Sequence, residues 1–524
     1  MRCTWVPALL VFVLASIAPA TGPTTLLAAQ PAAAPGAGAP KVLRMGVSAD
    51  PRDLDPQSFG ESVSSSIILH VHNTLFELDK NFTPVPALAE SAQVSADGLT
   101  WTIKLKKGIK FHDGTPFTAG AVKAVVDRTL SDKPPVRSAM IGRNDLASAR
   151  VVDDYTAEIK TKKPLGPFLY MLAGPAWAIN SPAAFKKYGD QATKHPVGTG
   201  PYRFVEWKPN EQIVLERNPD YWGPKPYYDQ LIYRIIPEAG TRVALLETGE
   251  VDLTVNIPPT ELPRLEQNAK LTAQAVKLNR IMYIGINCQL PYLSDKRVRQ
   301  AFNYAVDKRA IIKGIVRGLG EEAVSPIPRL NGGFAEAGKY AYDPAKAKQL
   351  LAEAGVSRDF KVSLWIPQGR YFQGEAIGQA VANYLREVGI NVGDQVLEYG
   401  TYNTVSRKPF GESQVQMYLL GWSSDNLDAD IALTPVFHSS QWPPTGPNRG
   451  FYKNPQVDQL LDTARATTDA KRRNDLYAQA QKIIWDDAPW IFLLDMQNPI
   501  AYRKGITGLS MWPTEILDLR QAKE

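Results

Sequence analysis

The apolar residues of this chain change their spacing near residue 290, and this change limits the architectures that the chain can adopt. Before it, short apolar segments alternate with turns. Trp101, Ile103 and Leu105, for example, take every second position between two glycine-containing turns. Such alternation places apolar side chains on one face of a β-strand. We therefore expect residues 41–230 to form a mixed sheet with few helices.

After residue 290 the pattern becomes one of alternating helices and strands, which is typical of an α/β lobe. Asp343-Pro344 and Asn454-Pro455 predict helix starts with an N-cap followed by a first-turn proline, and Thr118 predicts a further N-cap. Two apolar stripes have the i, i+3, i+4 spacing of core-facing helices. They comprise Val298, Ala301, Phe302, Ala305 and Val306, and Ile377, Ala380, Val381, Tyr384, Leu385 and Val388.

The apolar segment Trp490–Leu494 predicts a strand near the end of the chain. It can return to the sheet of the first half, so that more than one segment crosses between the two parts. Two lobes joined by crossing strands leave a cleft between them, and such clefts are common ligand sites.

The N-terminus has the features of a secretory signal peptide. Arg2 precedes an apolar stretch from Val6 to Ala18, and Ala18-Pro19-Ala20 gives an Ala-x-Ala pattern. We assign residues 1–29 to the signal peptide and residues 30–40 to a low-complexity linker. Cys3 precedes the apolar stretch, so we expect no lipid anchor and predict a soluble periplasmic protein.

After export Cys288 is the single cysteine that remains, and no internal disulfide can form. A chain of 524 residues has enough length for a large core in two or three domains. The formal charge of +6 comes from scattered basic residues, and we expect no nucleic-acid partner.

Enzyme signatures are missing from the sequence. It contains no Gly-x-Ser-x-Gly elbow and no His-Glu-x-x-His zinc helix. His70 and His72 are two positions apart and would point to different faces of a helix, so we expect surface or core-edge residues there and no metal site. We expect neither a catalytic residue nor a cofactor.

The segment Gly421–Asp430 is the strongest candidate for a binding site. It follows an apolar strand and contains Trp422 together with Asp425, Asp428 and Asp430. A carboxylate beside a tryptophan in a dry cleft can bind an ammonium group, and the ring can add a cation–π contact. An aspartate-rich loop can also be a solvated turn.

Taken in order, the segments resemble the family-5 extracellular solute-binding proteins, the dipeptide-, oligopeptide- and nickel-type receptors of ABC importers. The resemblance covers essentially the whole chain after the linker. Its markers are Asp50–Pro56, Leu88–Trp101, Gly108–Phe117, Gly198–Tyr202, Asn218–Trp222 and Val298–Phe302.

The resemblance implies an α/β fold with two lobes of the periplasmic-binding-protein type, in which a β-rich subdomain enlarges lobe I. Lobe I would comprise residues 41–275 and 495–524, with the β-rich insertion at about 75–190, and lobe II would comprise residues 276–494. In relatives that bind peptides, the aspartate three residues after this tryptophan holds the ligand's α-ammonium, and that position here is Asp425.

We therefore predict a ligand site formed by Asp425, Trp422, Gly421 and Arg370. Arg370 lies between a strand and the 377–388 helix, where its guanidinium can clamp a ligand carboxylate or form a surface ion pair. Asp428 and Asp430 are expected to be plain turn residues.

The predicted function is a monomeric, non-catalytic receptor. It captures a short peptide or another free-amine compound and delivers it to the permease subunits of an ABC importer. Within the family, the alternatives are a nickel chelate, haem, an opine or an oligosaccharide. A periplasmic hydrolase is the alternative from another class, but no nucleophile–base pair is evident in the sequence.

Overall fold

The computed structural model describes residues 40–58, 61–135, 142–357, 359–424 and 426–524. Residues 41–524 form one compact unit. The predicted signal peptide and nearly all of the linker lie outside the described residues and remain predictions. Within the described ranges, no helix combines the length and the apolar character that crossing a membrane requires.

The described residues contain both strands and helices, which are numbered in chain order. The strands are β1 (Val42–Val47), β2 (Phe76–Leu78), β3 (Pro84–Pro86), β4 (Ala89–Val94), β5 (Thr100–Leu105), β6 (Leu146–Asp153), β7 (Thr156–Thr161), β8 (Tyr202–Lys208), β9 (Gln212–Arg217), β10 (Gln230–Ile235), β11 (Leu253–Val255), β12 (Leu271–Ile286), β13 (Gly320–Glu322), β14 (Lys361–Pro367), β15 (Asn391–Leu397), β16 (Met417–Trp422), β17 (Trp490–Arg503), β18 (Ser510–Met511) and β19 (Leu517–Asp518).

The α-helices are α1 (Ser62–Val71), α2 (Ala119–Leu130), α3 (Phe168–Ala173), α4 (Pro182–Tyr188), α5 (Ala239–Thr248), α6 (Leu262–Glu266), α7 (Lys296–Ala305), α8 (Lys308–Gly314), α9 (Pro344–Glu353), α10 (Gly374–Glu387), α11 (Tyr399–Val405), α12 (Ala429–Phe437), α13 (Pro455–Ala466) and α14 (Ala470–Asp487). Short 3₁₀ helices are present at Pro175–Trp177, Gly189–Lys194, Phe410–Glu412 and Ser439–Gln441.

One large sheet runs through both halves of the molecule, in the order β15-β14-β16-β12-β17-β11-β1-β10-β9-β8, and β13 also pairs with β17. Its centre is the antiparallel pair β12 and β17. The strands on one side, β8 to β11 and β1, fall in the residues predicted for lobe I, and β14 to β16 fall in those predicted for lobe II. The predicted domain boundaries at 275 and 495 fall within β12 and β17 and remain predictions.

The two central strands are buried where both faces of the sheet are covered. Residues 281–286 of β12 are all buried, and so are residues 490–496 of β17. Continuous apolar runs of this kind are typical of strands with protein on both faces. The pairing of β12 with β17 shifts register between Lys277 and Ile281, so residues 278–280 form an irregular segment in the middle of the sheet.

A second, four-stranded sheet has the order β4-β5-β7-β6 and its own apolar core. Trp101, Ile103 and Leu105 point into this core, as their alternation predicted. The Trp101 ring stacks on Phe168 with centroids 4.6 Å apart. We call the described residues between 75 and 179 the small-sheet subdomain. Its core is separate from the core that covers the large sheet.

The predicted helix starts are confirmed. Helix α2 follows Thr118. The Asp343 side chain accepts a hydrogen bond from the Lys346 backbone N–H at the start of α9, and the Asn454 side chain does the same for Gln456 at the start of α13. These caps satisfy N–H groups that have no partner within the helix.

The expectation for His70 and His72 was wrong, because both are fully buried. Helix α1 lies between the large sheet and the chain's final segment. The Leu519 backbone N–H donates to His70 Nε2 over 3.0 Å, and His72 Nε2 lies 2.6 Å from Asn180 Oδ1. Burial lowers the pKa of His70, of His72 and of the largely buried His112 to about 4 in each case.

We predict that these histidines make stability depend on pH below neutrality. Their native pKa of about 4 lies below the ordinary value of 6.5, so the unfolded chain binds protons between those limits that the native chain does not. Each histidine therefore lowers the free energy of unfolding as pH falls from about 6.5 to 4, by up to ~1.4 kcal/mol per pH unit. Urea unfolding at a series of pH values measures this slope.

The His112→Gln variant isolates one contribution, because glutamine can still donate to the Gly200 carbonyl that lies 2.9 Å from His112 Nε2. Its slope should be shallower than that of the wild type by up to ~1.4 kcal/mol per pH unit. The exposed His195 provides the control, and His195→Gln should keep the wild-type slope. Equal slopes in all three proteins would contradict the prediction.

Candidate functional site

A cavity of about 560 Å³ lies where the two lobes meet at the middle of the large sheet. Lobe I, lobe II and the crossing strand β17 all contribute to its wall. It is lined by Ser62, Ala239, Asn256–Pro259, Leu278, Arg280, Leu319, Arg370–Phe372, Met496–Pro499 and Glu515. The volume is in the range of small-molecule and peptide sites.

The polar part of the cavity contains an ion pair that joins segments far apart in the sequence. Arg280, from the irregular segment of β12, donates to Glu515 over 2.8 Å, and both side chains are 22% exposed. Asn498 of β17 donates to the other oxygen of Glu515 over 3.2 Å and also to Asn256 of lobe I. The register shift in β12 brings Arg280 to the cavity.

Arg370 faces the same cavity from the loop after β14. Its guanidinium lies 5.2 Å from the ring centroid of Tyr371 and 5.4 Å from that of Tyr399. Among the described residues, no carboxylate forms a salt bridge with it. Tyr399 also forms a side-chain hydrogen bond with the guanidinium, and the remaining N–H donors can bind a carboxylate. Arg370 is therefore suited to bind an anionic ligand group.

Gly421 contacts Tyr371, which is part of the cavity wall. The Tyr371 hydroxyl donates to the Gly421 carbonyl over 3.3 Å. A Cβ at this position would be 2.8 Å from Met282 Sδ, 3.0 Å from Tyr371 Cε1 and 3.2 Å from Arg280 Cδ. Glycine therefore allows the tyrosine and arginine to pack against the strand. The structure thus brings Gly421 and Arg370 together around Tyr371.

Trp422 points to the opposite face of the sheet and packs beside the core of lobe II. Its indole N–H donates to the Ala432 carbonyl over 2.9 Å, which ties the end of β16 to helix α12. The side chain remains partly exposed. Its predicted contribution to the ligand site stays a prediction.

Asp425 lies outside the described residues, and its role stays a prediction. Its neighbours Ser424 and Asn426 are buried. Asn279 donates to the Ser424 carbonyl over 2.8 Å, Ser424 bonds to Asn331, and Asn331 donates to Asn279 over 2.6 Å. This ring of buried hydrogen bonds fixes the chain immediately before position 425.

The expectation that Asp428 and Asp430 are plain turn residues was wrong. Both are fully buried and lie at the start of α12. Asp428 caps the helix and lies 3.1 Å from Arg473, while Asp430 pairs with Arg465. Burial raises the pKa of Asp428 to about 6. The two arginines are on α13 and α14, so no local sequence signal could reveal the pairing.

Sequence reasoning also missed Arg280, Glu515 and Tyr371. The signal available for Arg280 was a charge directly before the apolar run 281–286, and Lys277 lies only three positions earlier. Glu515 had none, because only the return of the chain into lobe I brings it to the cleft. Within the described residues, no three His, Cys, Asp or Glu side chains come close enough to hold a metal ion.

The fold and its cleft define a two-lobe receptor of the periplasmic-binding-protein type. Residues 83–444 match the family described as "Bacterial extracellular solute-binding proteins, family 5 Middle". The chain belongs to this family of solute-binding proteins, as its sequence resemblance implied.

Curated relatives and solved structures agree with this assignment. The glutathione-binding protein GsiB of Pectobacterium atrosepticum is 37% identical over 472 residues, which cover 90% of this chain and 91% of GsiB. The structure of HbpA2 from Haemophilus parasuis is similar with a TM-score of 0.84 and 26% identity, over 92% of this chain and 99% of HbpA2. The periplasmic binding protein DppA from Helicobacter pylori, in complex with the peptide STSA, has a TM-score of 0.76 and 30% identity, over 91% of this chain and 96% of DppA.

We predict that Asp430→Asn destabilises the protein by about 3 kcal/mol, because it leaves the Arg465 charge without its buried partner. Chemical denaturation of the variant and the wild type measures the difference. Asp462→Asn is the matched control, since Asp462 is on the same helix as Arg465 and its side chain is 71% exposed. The control should stay within about 0.5 kcal/mol of wild type. Equal stability of both variants would contradict the buried pairing.

Proposed function

We propose that the protein captures a short peptide with a free ammonium and at least one carboxylate, with glutathione as the first candidate. It acts without catalysis, as an exported soluble monomer, and delivers its ligand to the permease subunits of an ABC importer. The observation that carries the proposal is the Arg370 guanidinium, stacked on two tyrosines and facing the interlobe cavity.

The charges around the cavity support a peptide-like ligand. Glutathione has two carboxylates and one ammonium group. Arg370 is suited to one carboxylate, while the neighbouring Arg280 is already neutralised by Glu515. The ammonium would bind Asp425, on the loop that the Asn279, Ser424 and Asn331 ring holds in place. Relatives named for glutathione binding, and the structure of a relative in complex with a peptide, also support a peptide-like ligand.

The nickel-chelate alternative depends on His438 as a metal ligand and receives little support from it, since one histidine does not make a coordination set. His438 Nδ1 accepts from both the backbone N–H and the hydroxyl of Ser440, over 3.1 and 2.8 Å, so it acts as a cap for the short 439–441 helix. Incubation of the protein with reduced glutathione and a dipeptide panel, followed by product analysis, tests for the turnover that the hydrolase alternative requires. Release of free amino acids would overturn the receptor assignment.

Native mass spectrometry of freshly purified protein identifies the cargo directly. A retained species of peptide mass supports the proposal, whereas a haem, a nickel chelate, an opine or an oligosaccharide would replace it. The intact mass of the exported chain tests the signal peptide and the unlipidated N-terminus in the same experiment.

We predict that Asp425→Asn weakens binding of reduced glutathione by about 30-fold or more. Loss of one partner of a desolvated charge pair costs ~2–5 kcal/mol, and each tenfold change in affinity corresponds to ~1.4 kcal/mol. Calorimetric titration gives the affinity, and Asp462→Asn serves as the exposed control in place of the buried Asp428 and Asp430. Wild-type affinity in Asp425→Asn would exclude the ammonium assignment.

We predict that Arg370→Gln weakens binding of ligands with a free carboxylate by roughly tenfold or more, because a charge-assisted hydrogen bond contributes ~1.5–3 kcal/mol. The same variant should bind an ester-blocked glutathione about as well as the wild type does. Titration of both ligands into both proteins gives four affinities, and their comparison isolates the contact between Arg370 and the ligand carboxylate. An equal loss for free and blocked ligands would show that Arg370 does not hold the carboxylate.

A further inference from the structure

Arg465 joins helix α13 to the small-sheet subdomain. It is near the end of α13 in lobe II and pairs with Asp430 of the same lobe. Its other terminal nitrogen donates to Asp145, at the edge of the small-sheet subdomain, over 2.8 Å. The backbone N–H of Gly166, in the same subdomain, donates to the Arg465 carbonyl over 2.7 Å.

Arg473 makes a second contact with the small-sheet subdomain. It is 4% exposed, pairs with Asp428, and lies 5.3 Å from the ring centroid of Tyr170 in α3 of the small-sheet subdomain. Between the two arginines the backbones are in close contact. A Cβ at Gly166 would be 2.1 Å from the Thr467 carbonyl oxygen and 3.1 Å from Arg473 Cδ.

Both arginines therefore contact the small-sheet subdomain and, at the same time, the segment Asp428–Asp430. That segment begins helix α12 and directly follows the loop fixed by Ser424. A change in the loop can thus reach the subdomain by two routes. One runs from Asp430 through Arg465 to Asp145. The other runs from Asp428 through Arg473 to the Tyr170 ring.

We propose that Arg465 and Arg473 form a closure latch that holds lobe II against the small-sheet subdomain and couples this contact to the ligand loop. The latch rests on the proposed function, since its purpose is to favour the closed form when the loop is occupied. A receptor whose closed form is less populated binds its ligand more weakly in proportion to the lost population. The two arginines are positioning residues and make no contact with the ligand.

Asp145→Asn and Gly166→Ala test the latch without touching the cavity. Asp145→Asn removes the charge that faces Arg465, and we expect about 3- to 10-fold weaker binding of reduced glutathione, mainly through faster dissociation. Gly166→Ala should have a larger effect, because its methyl group prevents the close contact with Thr467. Asp132→Asn, an exposed acid of the same subdomain, and Gly174→Ala, where a Cβ has no neighbour closer than 3.4 Å, are the matched controls.

A distance measurement separates the latch from the identity of the ligand. Spin labels on cysteines introduced at the exposed positions Lys110 and Gln479 report the separation of the subdomain and lobe II. Cys288 is buried and should not react with the label. Without ligand, both test variants should lose the shorter-distance population of the wild type, while their melting temperatures and those of the controls stay unchanged.

The distance measurement can give two results, and they lead to different conclusions about the latch. Longer distances in the two folded test variants support the latch even if the wild type fails to bind glutathione, a result that would remove only the proposed ligand. Distances identical to wild type in both test variants overturn the latch, whatever the affinity for glutathione.

Discussion

The antiparallel pairing of β12 with β17 is the constraint on which the rest of the structure depends. These two strands cross between the lobes and join the strands of both into one sheet. Continuous pairing would make the crossing rigid and close-packed. The register shift after Lys277 interrupts it, and the freed segment gives Leu278 and Arg280 to the cavity while β17 gives residues 496–499. The same irregularity therefore lies at the junction between the lobes and forms part of the cavity wall.

Ion pairs are the second feature on which the structure depends. Buried carboxylates are unfavourable unless they are compensated. Asp428 and Asp430 have Arg473 and Arg465, and Glu515 has Arg280. Arg370 has aromatic rings instead of an acid among the described residues. A ligand carboxylate would give Arg370 the acidic partner that the other three arginines already have.

The caps at Asp343 and Asn454 and the alternation around Trp101 could be predicted, because each depends on neighbours within a few residues in the chain. Arg370 could be proposed as a ligand residue from its position between a strand and a helix, and the structure puts it on the cavity wall. Its aromatic support could not be foreseen, because Tyr399 follows a helix and a strand later. His70 and His72 were placed wrongly for the same reason: the final segment of the chain covers α1, and Leu519 supplies a bond to His70 from the far end of the sequence.

The sequence by itself determined the class of the elements with clear periodicity or capping residues, the change from a β-rich to an α/β pattern, and the family, because periodicity and motif order are properties of the chain alone. The tertiary structure decided which of the acidic residues after Trp422 are already neutralised. It also decided that Arg280 and Glu515 meet, and that the small-sheet subdomain contacts lobe II through Arg465. These outcomes depend on groups that are tens to hundreds of positions apart, and only the folding of crossing strands between two lobes brings such groups within hydrogen-bonding distance.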